Sequence, residues 1–197
     1  KRMENTAQVA ADHIPLFLET GQNLVTVLSK DARLQSSAPL LIQTALAESN
    51  MTLPFFDHMY VLDAQGNVIT SYPQNADPSP EFGLEEKVSL QLALTIKFPI
   101  DYIPIQPAEG QHTAELSFIA PVSMGSLPGR AVIARANLTS NPISSSIIES
   151  LESIAGKDGQ SLLLDEENRI LLHRETGEIL KDYEGPISEK PEFYDQI

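Results

Sequence analysis

Residues 55–73 read FFDHMYVLDAQGNVITSYP. β-Branched and aromatic side chains flank Ala64-Gln65-Gly66-Asn67, a run of residues that tolerate positive φ, and this pattern predicts the clearest β-hairpin of the chain. Upstream, over residues 3–30, Ala7, Ala10, Ile14, Phe17 or Leu18, Leu24 and Leu28 recur at intervals of three and four, the period of an amphipathic helix in which Pro15 is expected to introduce a kink. At ~1.5 Å per residue that helix is about 40 Å long, which suits a stalk with one docked face. A shorter helix is predicted over residues 39–48, where Leu40, Leu41, Thr44 and Ala45 share a side and Pro39 suits the first turn.

Downstream of the hairpin, Pro73, Pro78 and Pro80 mark residues 74–80 as a loop. Residues 85–95 return to a helical period through Val88, Leu90, Leu92 and Leu94 to Ile96, with an alternating, strand-like reading still open. Two strands are predicted at 111–122 and 129–138, paired antiparallel through a loop at 123–128. Asn141 then reads as an N-cap and Pro142 as a first-turn residue of a helix carrying Ile143, Ile147, Ile148, Leu151 and Ile154 and ending near Gly156. The order helix, hairpin, helix, antiparallel strands, helix predicts an α+β domain around one antiparallel sheet.

Composition narrows the function. With 27 acidic against 13 basic residues the chain carries a net charge of -14, which repels a phosphate backbone and argues against nucleic-acid binding. The absence of cysteine excludes disulfides and thiolate metal sites without deciding the compartment. No stretch approaches the ~18 consecutive apolar residues that a membrane-spanning helix requires, and the first residues, KRMENTAQ, lack the apolar core of a signal peptide.

A displacement of 102 residues sets MYVLDAQGNVITSY (59–72) over SLLLDEENRILLHR (161–174), aligning Leu62 with Leu164 and Asp63 with Asp165. Each copy follows a predicted helix, so a structural repeat is expected. The long leading helix, the hairpin YVLDAQGNVITSYP, the strands AELSFIAPV (114–122) and GRAVIARANL (129–138), and the second hairpin LLLDEENRILLHR (162–174) together resemble the double Cache ectodomains of bacterial chemoreceptors, sensor histidine kinases and diguanylate cyclases. The resemblance covers nearly the whole chain and rests on order and spacing more than on its soft motifs. It implies two PAS-like sheets on a stalk helix, a small ligand on the membrane-distal sheet, an extracytoplasmic location, a membrane anchor in the full-length protein and a homodimer through the N-terminal helix. The chain departs from the pattern in one respect. The first unit runs 75 residues beyond Asp63 to Leu138, whereas 32 residues follow Asp165, so a second complete sheet does not fit. The expected organisation is a helical stalk (1–50), a membrane-distal PAS-like domain (51–140), a connecting helix (141–157) and a partial membrane-proximal module (158–197), with residues 183–197 irregular.

Catalytic and metal-binding constellations are missing from the sequence. His13, His58, His112 and His173 lack the i, i+4 spacing of a helical zinc site. Asp57-His58 invites a general-base role, but at the start of a strand capping or solvent contact is the plainer assignment. Asp165-Glu166-Glu167-Asn168 lacks the central glycine and the alternating oxygen ligands of a calcium loop and reads as an acidic turn. Met124-Gly125-Ser126-Leu127-Pro128-Gly129 fails as a nucleophile elbow because of Pro128. No enzyme activity and no cofactor is therefore expected.

A binding site is better supported. Over residues 130–138 Ile133, Arg135 and Asn137 alternate with Val132, Ala134 and Ala136, so Arg135 and Asn137 share a face. A half-buried guanidinium needs an anion: the carboxylate of a ligand, a native acid such as Glu115, or else water around an exposed side chain. Ser117, Tyr72 and Tyr102 are further candidates for the pocket. The resemblance places ligands against the segment 73–106, which has neither the Arg nor the Trp that amino-acid-binding members carry there and offers Lys97, Asp101 and Tyr102 instead. The expected function is a small-molecule sensor domain of a transmembrane signalling receptor. The alternative is a structural, dimerisation or protein-interaction module that holds no ligand.

Overall fold

The computed structural model describes residues 2–74, 80–108, 110–122, 129–155, 159 and 161–185. The loop expected at 123–128, most of that at 74–80, the helix end near Gly156 and the tail beyond residue 185 lie outside them. Helix α1 (Arg2–Leu28) runs through Pro15 as one element of 27 residues. Its docked face is Ile14, Phe17, Gly21, Val25 and Leu28, all buried, with Leu18 and Leu24 packed at the margin. A short 3-10 turn (Ala32–Gln35) leads to α2 (Pro39–Thr52), one turn longer than the sequence pattern predicts. The Arg130 guanidinium donates to the carbonyls of Leu34 (2.7 Å) and Ser36 (2.8 Å), tying this corner to the central sheet.

The hairpin forms as read, with β1 (His58–Leu62) antiparallel to β2 (Val68–Tyr72). Helix α3 (Leu84–Ile96) follows, then β3 (Ile100–Ile105), β4 (Glu115–Pro121) and β5 (Ala131–Asn137) in one antiparallel sheet of order β2-β1-β5-β4-β3. Strand β3 is a correction: the sequence reading leaves Tyr102 in a loop. Pro104 discourages a strand assignment, yet β3 occupies an edge, where a missing N–H is tolerated. Helix α4 (Ser145–Ala155) also starts later than expected, with residues 141–144 forming a turn ahead of it. Asn141 still bonds as a cap does, its side-chain oxygen accepting the Ile143 N–H while its amide donates to the Phe55 carbonyl.

Each face of the sheet has its own core. Met59, Val61, Leu116, Phe118, Ala134 and Ala136 meet α1 and α2, whereas Tyr60, Leu62, Ile103, Ile119 and Ile133 meet α3. At the centre of the first core Phe118 packs edge-on against Phe17, Phe55 and Phe56, with ring centroids 5.9–6.5 Å apart. Gly21 makes this approach possible. A Cβ there would lie 2.5 Å from Phe118 Cζ.

The second hairpin, β6 (Leu163–Leu164) with β7 (Ile170–Leu172), reproduces the first in detail. Asp63 Oδ1 accepts the N–H of Gln65 and of Asn67, both at 2.9 Å. Asp165 Oδ1 accepts the N–H of Glu167 and of Arg169, at 2.9 and 2.8 Å. Gly66 (φ 85°) and Asn168 (φ 64°) take the left-handed position of their turns, and a register shift falls between Val61 and Leu62 and again between Leu163 and Leu164. Residues 111–114, predicted as the start of a long strand, instead bond to this second unit: Ala114 N–H donates to Leu171 O at 2.7 Å and His173 N–H to His112 O at 3.0 Å.

Because a methyl group at position 21 would drive α1 away from Phe118, Gly21→Ala is expected to lower the unfolding free energy by about 1–3 kcal/mol in a urea titration. An unchanged midpoint would mean that α1 is not held against the sheet at this point.

Candidate functional site

The face of the sheet under α3 carries the polar chemistry. In antiparallel register His58 stands opposite Arg135, Arg135 opposite Ser117, and Asn137 opposite Glu115. Above them α3 buries Glu86, Leu90 and Ala93, with Leu94 packed at the margin, and leaves Val88, Leu92 and Ile96 exposed, so only part of the apolar set named from the sequence faces the core. Glu86 explains the orientation. With only 1% of its surface exposed, its Oε2 accepts from Arg135 Nη2 at 2.7 Å and from the Gly83 N–H at 3.0 Å. Its Oε1 accepts from Ser117 Oγ at 2.8 Å and Arg135 Nε at 3.1 Å. The guanidinium also lies over Tyr60 and Phe82, 5.8 and 5.3 Å from the ring centroids. Arg135 therefore has a native acid, as one of the sequence readings allowed, but that acid is Glu86 from α3 and not the neighbouring-strand Glu115.

Glu115 instead faces His58, with its carboxylate 3.9 Å from Nδ1, a charge contact too long for a hydrogen bond. The Glu115 carboxylate raises the His58 pKa above its ordinary value, assisted by Asp57 and opposed by partial burial and by Arg135. Asp57 takes the capping role that the sequence reading preferred. Its carboxylate accepts the Asn137 N–H at 2.9 Å and the Ser140 hydroxyl at 3.2 Å, closing the strand-to-turn junction. These groups border a cleft of about 450 Å³, floored by Tyr60 and Arg135 and rimmed by Asp57, His58, Glu81 and Glu115.

The residues singled out from the sequence divide. Ser117 and Arg135 meet through Glu86, and Asn137 reaches the cleft wall while bonding to Gln111, Thr113 and Thr139. Tyr72 and Tyr102 pack against the opposite core, the one under α1. Burial pushes the Tyr102 phenol up, and the Asp165 and Glu166 carboxylates of the second hairpin add to the effect. Lys97 is the exposed, left-handed C-cap of α3, and Asp101 is exposed on the edge strand. Glu86 was missed. An acid within the charged run Glu85-Glu86-Lys87 reads as solvent-facing, although the unexplained Arg135 and the run Gly83-x-x-Glu86 were the available signals. Among the described residues no group of three or more His, Asp or Glu is placed to hold a metal ion, and no helix is long and apolar enough to cross a membrane.

No protein-family model and no curated protein matches the sequence. Solved structures do. The ligand-binding domain of the Pseudomonas aeruginosa PAO1 amino acid chemoreceptor PctC, in complex with GABA, superposes with a TM-score of 0.65 at 21% identity over 89% of this chain and 75% of that one. The fold is that of a bacterial sensor domain. The PctB ligand-binding domain of the same organism, in complex with L-Gln, gives 0.62 at 15% identity over 91% of this chain and 70% of its own. The sensor domain of the V. cholerae histidine kinase DctB gives 0.62 at 16% identity over 91% and 68%. The α+β architecture with a PAS-like sheet and a short second module, expected from the double Cache resemblance, is thus the one observed, and at these identities the likeness is one of fold.

Two outcomes follow from the cleft. Arg135→Ala leaves the Glu86 carboxylate buried without its cation and is expected to cost about 3–5 kcal/mol in denaturant unfolding, whereas the double variant Arg135→Met with Glu86→Leu should cost clearly less than the two single changes added together. The His58 ion pair acts with the opposite sign to a carboxylate's. With a folded pKa above the reference value of 6.5, its stabilisation is complete below that value and is lost as the pH rises through the higher folded pKa. The stability difference between wild type and His58→Gln should therefore vanish at alkaline pH, and a pH-independent difference would remove the pair from the account.

Proposed function

We propose that the chain is the extracytoplasmic sensor domain of a transmembrane signalling receptor and that it holds a small molecule in the cleft over Tyr60 and Arg135. The observation that carries the reading is this cleft, polar at its mouth and aromatic at its floor, on one face of a sheet whose fold it shares with ligand-binding domains. A volume of about 450 Å³ is in the range of small-molecule sites. The neighbours' ligands, GABA for PctC and L-Gln for PctB, are of a size that such a cleft takes. Of the residues first singled out, Arg135 and Asn137 line this site and the buried Ser117 supports it through Glu86; Tyr72, Lys97, Asp101 and Tyr102 are set aside from it.

A route for the signal is available in the same strands. Ser117 and Arg135 lie on the α3 face of the sheet, with Arg135 lining the cleft, while the adjoining Phe118 and Ala134 face the helical core, and Phe118 packs on α1 at Gly21. A ligand that draws β4 and β5 toward α3 alters the seat of α1, the helix that in this reading leads to a membrane anchor and pairs with a second copy.

A thermal-shift screen with organic acids, amines and purines tests the proposal. A true ligand at 100 times its dissociation constant stabilises the fold by about 2.7 kcal/mol, saturably. His58→Trp, which fills the cleft mouth, should abolish the shift while leaving the unliganded melting temperature close to wild type. Saturable binding that ignores His58→Trp would move the site elsewhere, and no stabilisation by any class would leave a structural or dimerisation module.

A further inference from the structure

We propose that Glu86 sets the specificity of this cleft, disfavouring ligand carboxylates by balancing the charge of Arg135 and occupying its Nε–Nη2 edge from within, and leaving the mouth to select a small organic cation; the inference rests on the reading of the cleft as a ligand site. A guanidinium recognises a carboxylate through a planar fork of N–H donors. On Arg135 the Nε–Nη2 edge of that fork is already occupied: Nη2 and Nε donate to the two oxygens of Glu86, and Nη2 also points to the Glu81 carbonyl at 3.4 Å. Glu86 is in turn fixed by the Ser117 hydroxyl and the Gly83 N–H, so four hydrogen bonds hold it in place. A carboxylate aimed at that edge has to displace a preorganised, buried one, and elsewhere it meets a guanidinium whose charge Glu86 already balances.

With Arg135 neutralised by Glu86, the charges that remain on the cleft are the Asp57, Glu81 and Glu115 carboxylates against the single titratable His58. The whole chain adds a field of the same sign, at -14. Tyr60, which lines the cleft, meets Phe82 edge to face at 5.6 Å, and the two rings hold the Arg135 guanidinium in place beside Glu86. The partners of Asp57, the Asn137 N–H and the Ser140 hydroxyl, are both neutral donors.

Butylamine, butyrate and GABA share a four-carbon chain and differ in their charged ends, and isothermal titration of the intact domain with each distinguishes the cases. Butylamine should bind saturably and butyrate should not, with GABA weaker than butylamine. Glu115→Gln should weaken butylamine about tenfold, the equivalent of one screened charge contact at the mouth. Glu86→Gln, if folded by circular dichroism, should admit butyrate. Butyrate binding to wild type, or butylamine affinity unmoved by Glu115→Gln, overturns this inference while the sensor reading stands. If neither these probes nor the wider screen produces binding, both fall. The wild-type and Glu115→Gln titrations decide the matter even where Glu86→Gln does not fold.

Discussion

A guanidinium on the inner face of a sheet obliges the fold to bring it a carboxylate, and much of this structure is arranged around that obligation. Leaving Arg135 or Glu86 alone in the interior would cost several kcal/mol, more than most single contacts return. Helix α3 therefore turns Glu86 inward together with Leu90 and Ala93 and leaves Val88, Leu92 and Ile96 outward, contrary to simple amphipathic logic. The turn before α3 is bound by the same group, because Glu86 also accepts the Gly83 N–H. One carboxylate thus positions a helix, caps it and orders the floor of the cleft.

The two faces of the sheet divide the work. Under α1 and α2 the contacts are aromatic and aliphatic, and close approach is permitted by a glycine at the one point where Phe118 needs the room. Under α3 the contacts are charged and directional. Strands β4 and β5 belong to both faces, so a change in the polar layer reaches the apolar one within a single peptide unit. Packed cores respond to such displacements by shifting whole elements, because their interiors are too dense to absorb the change locally.

The second module is attached through backbone. Residues 112–114 pair with β7 before the chain enters β4, and Gln106 and Thr176 add bonds between Ile179, Gln111 and the edge of the first sheet. The two hairpins share the Asp-centred turn at the level of individual hydrogen bonds, though they share few residues. Asp63 and Asp165 are the identical pair because each accepts two backbone N–H groups of its turn, a task for a short anionic side chain.

Local patterns were readable from the chain alone. Alternation on either side of Ala64-Gln65-Gly66-Asn67 specified the first hairpin, three- and four-residue spacing specified the docked face of α1, and the spacing of strands and helices specified an α+β sensor-type fold, because each of these is set by neighbours within a few residues. Elements whose identity depends on distant partners were not readable. Strand β3 forms against β4 in spite of Pro104 because it lies at an edge, and the long strand predicted from residue 111 is interrupted because a second hairpin claims its first residues. The candidate site divides in the same way. Arg135 and its need for an anion followed from strand alternation, but the identity of the anion depended on how α3 lies over the sheet, and Tyr72 and Tyr102 fell on the far face through register. Charge on a residue is a property of sequence; the group that meets it from 49 positions away is decided only when the chain is folded.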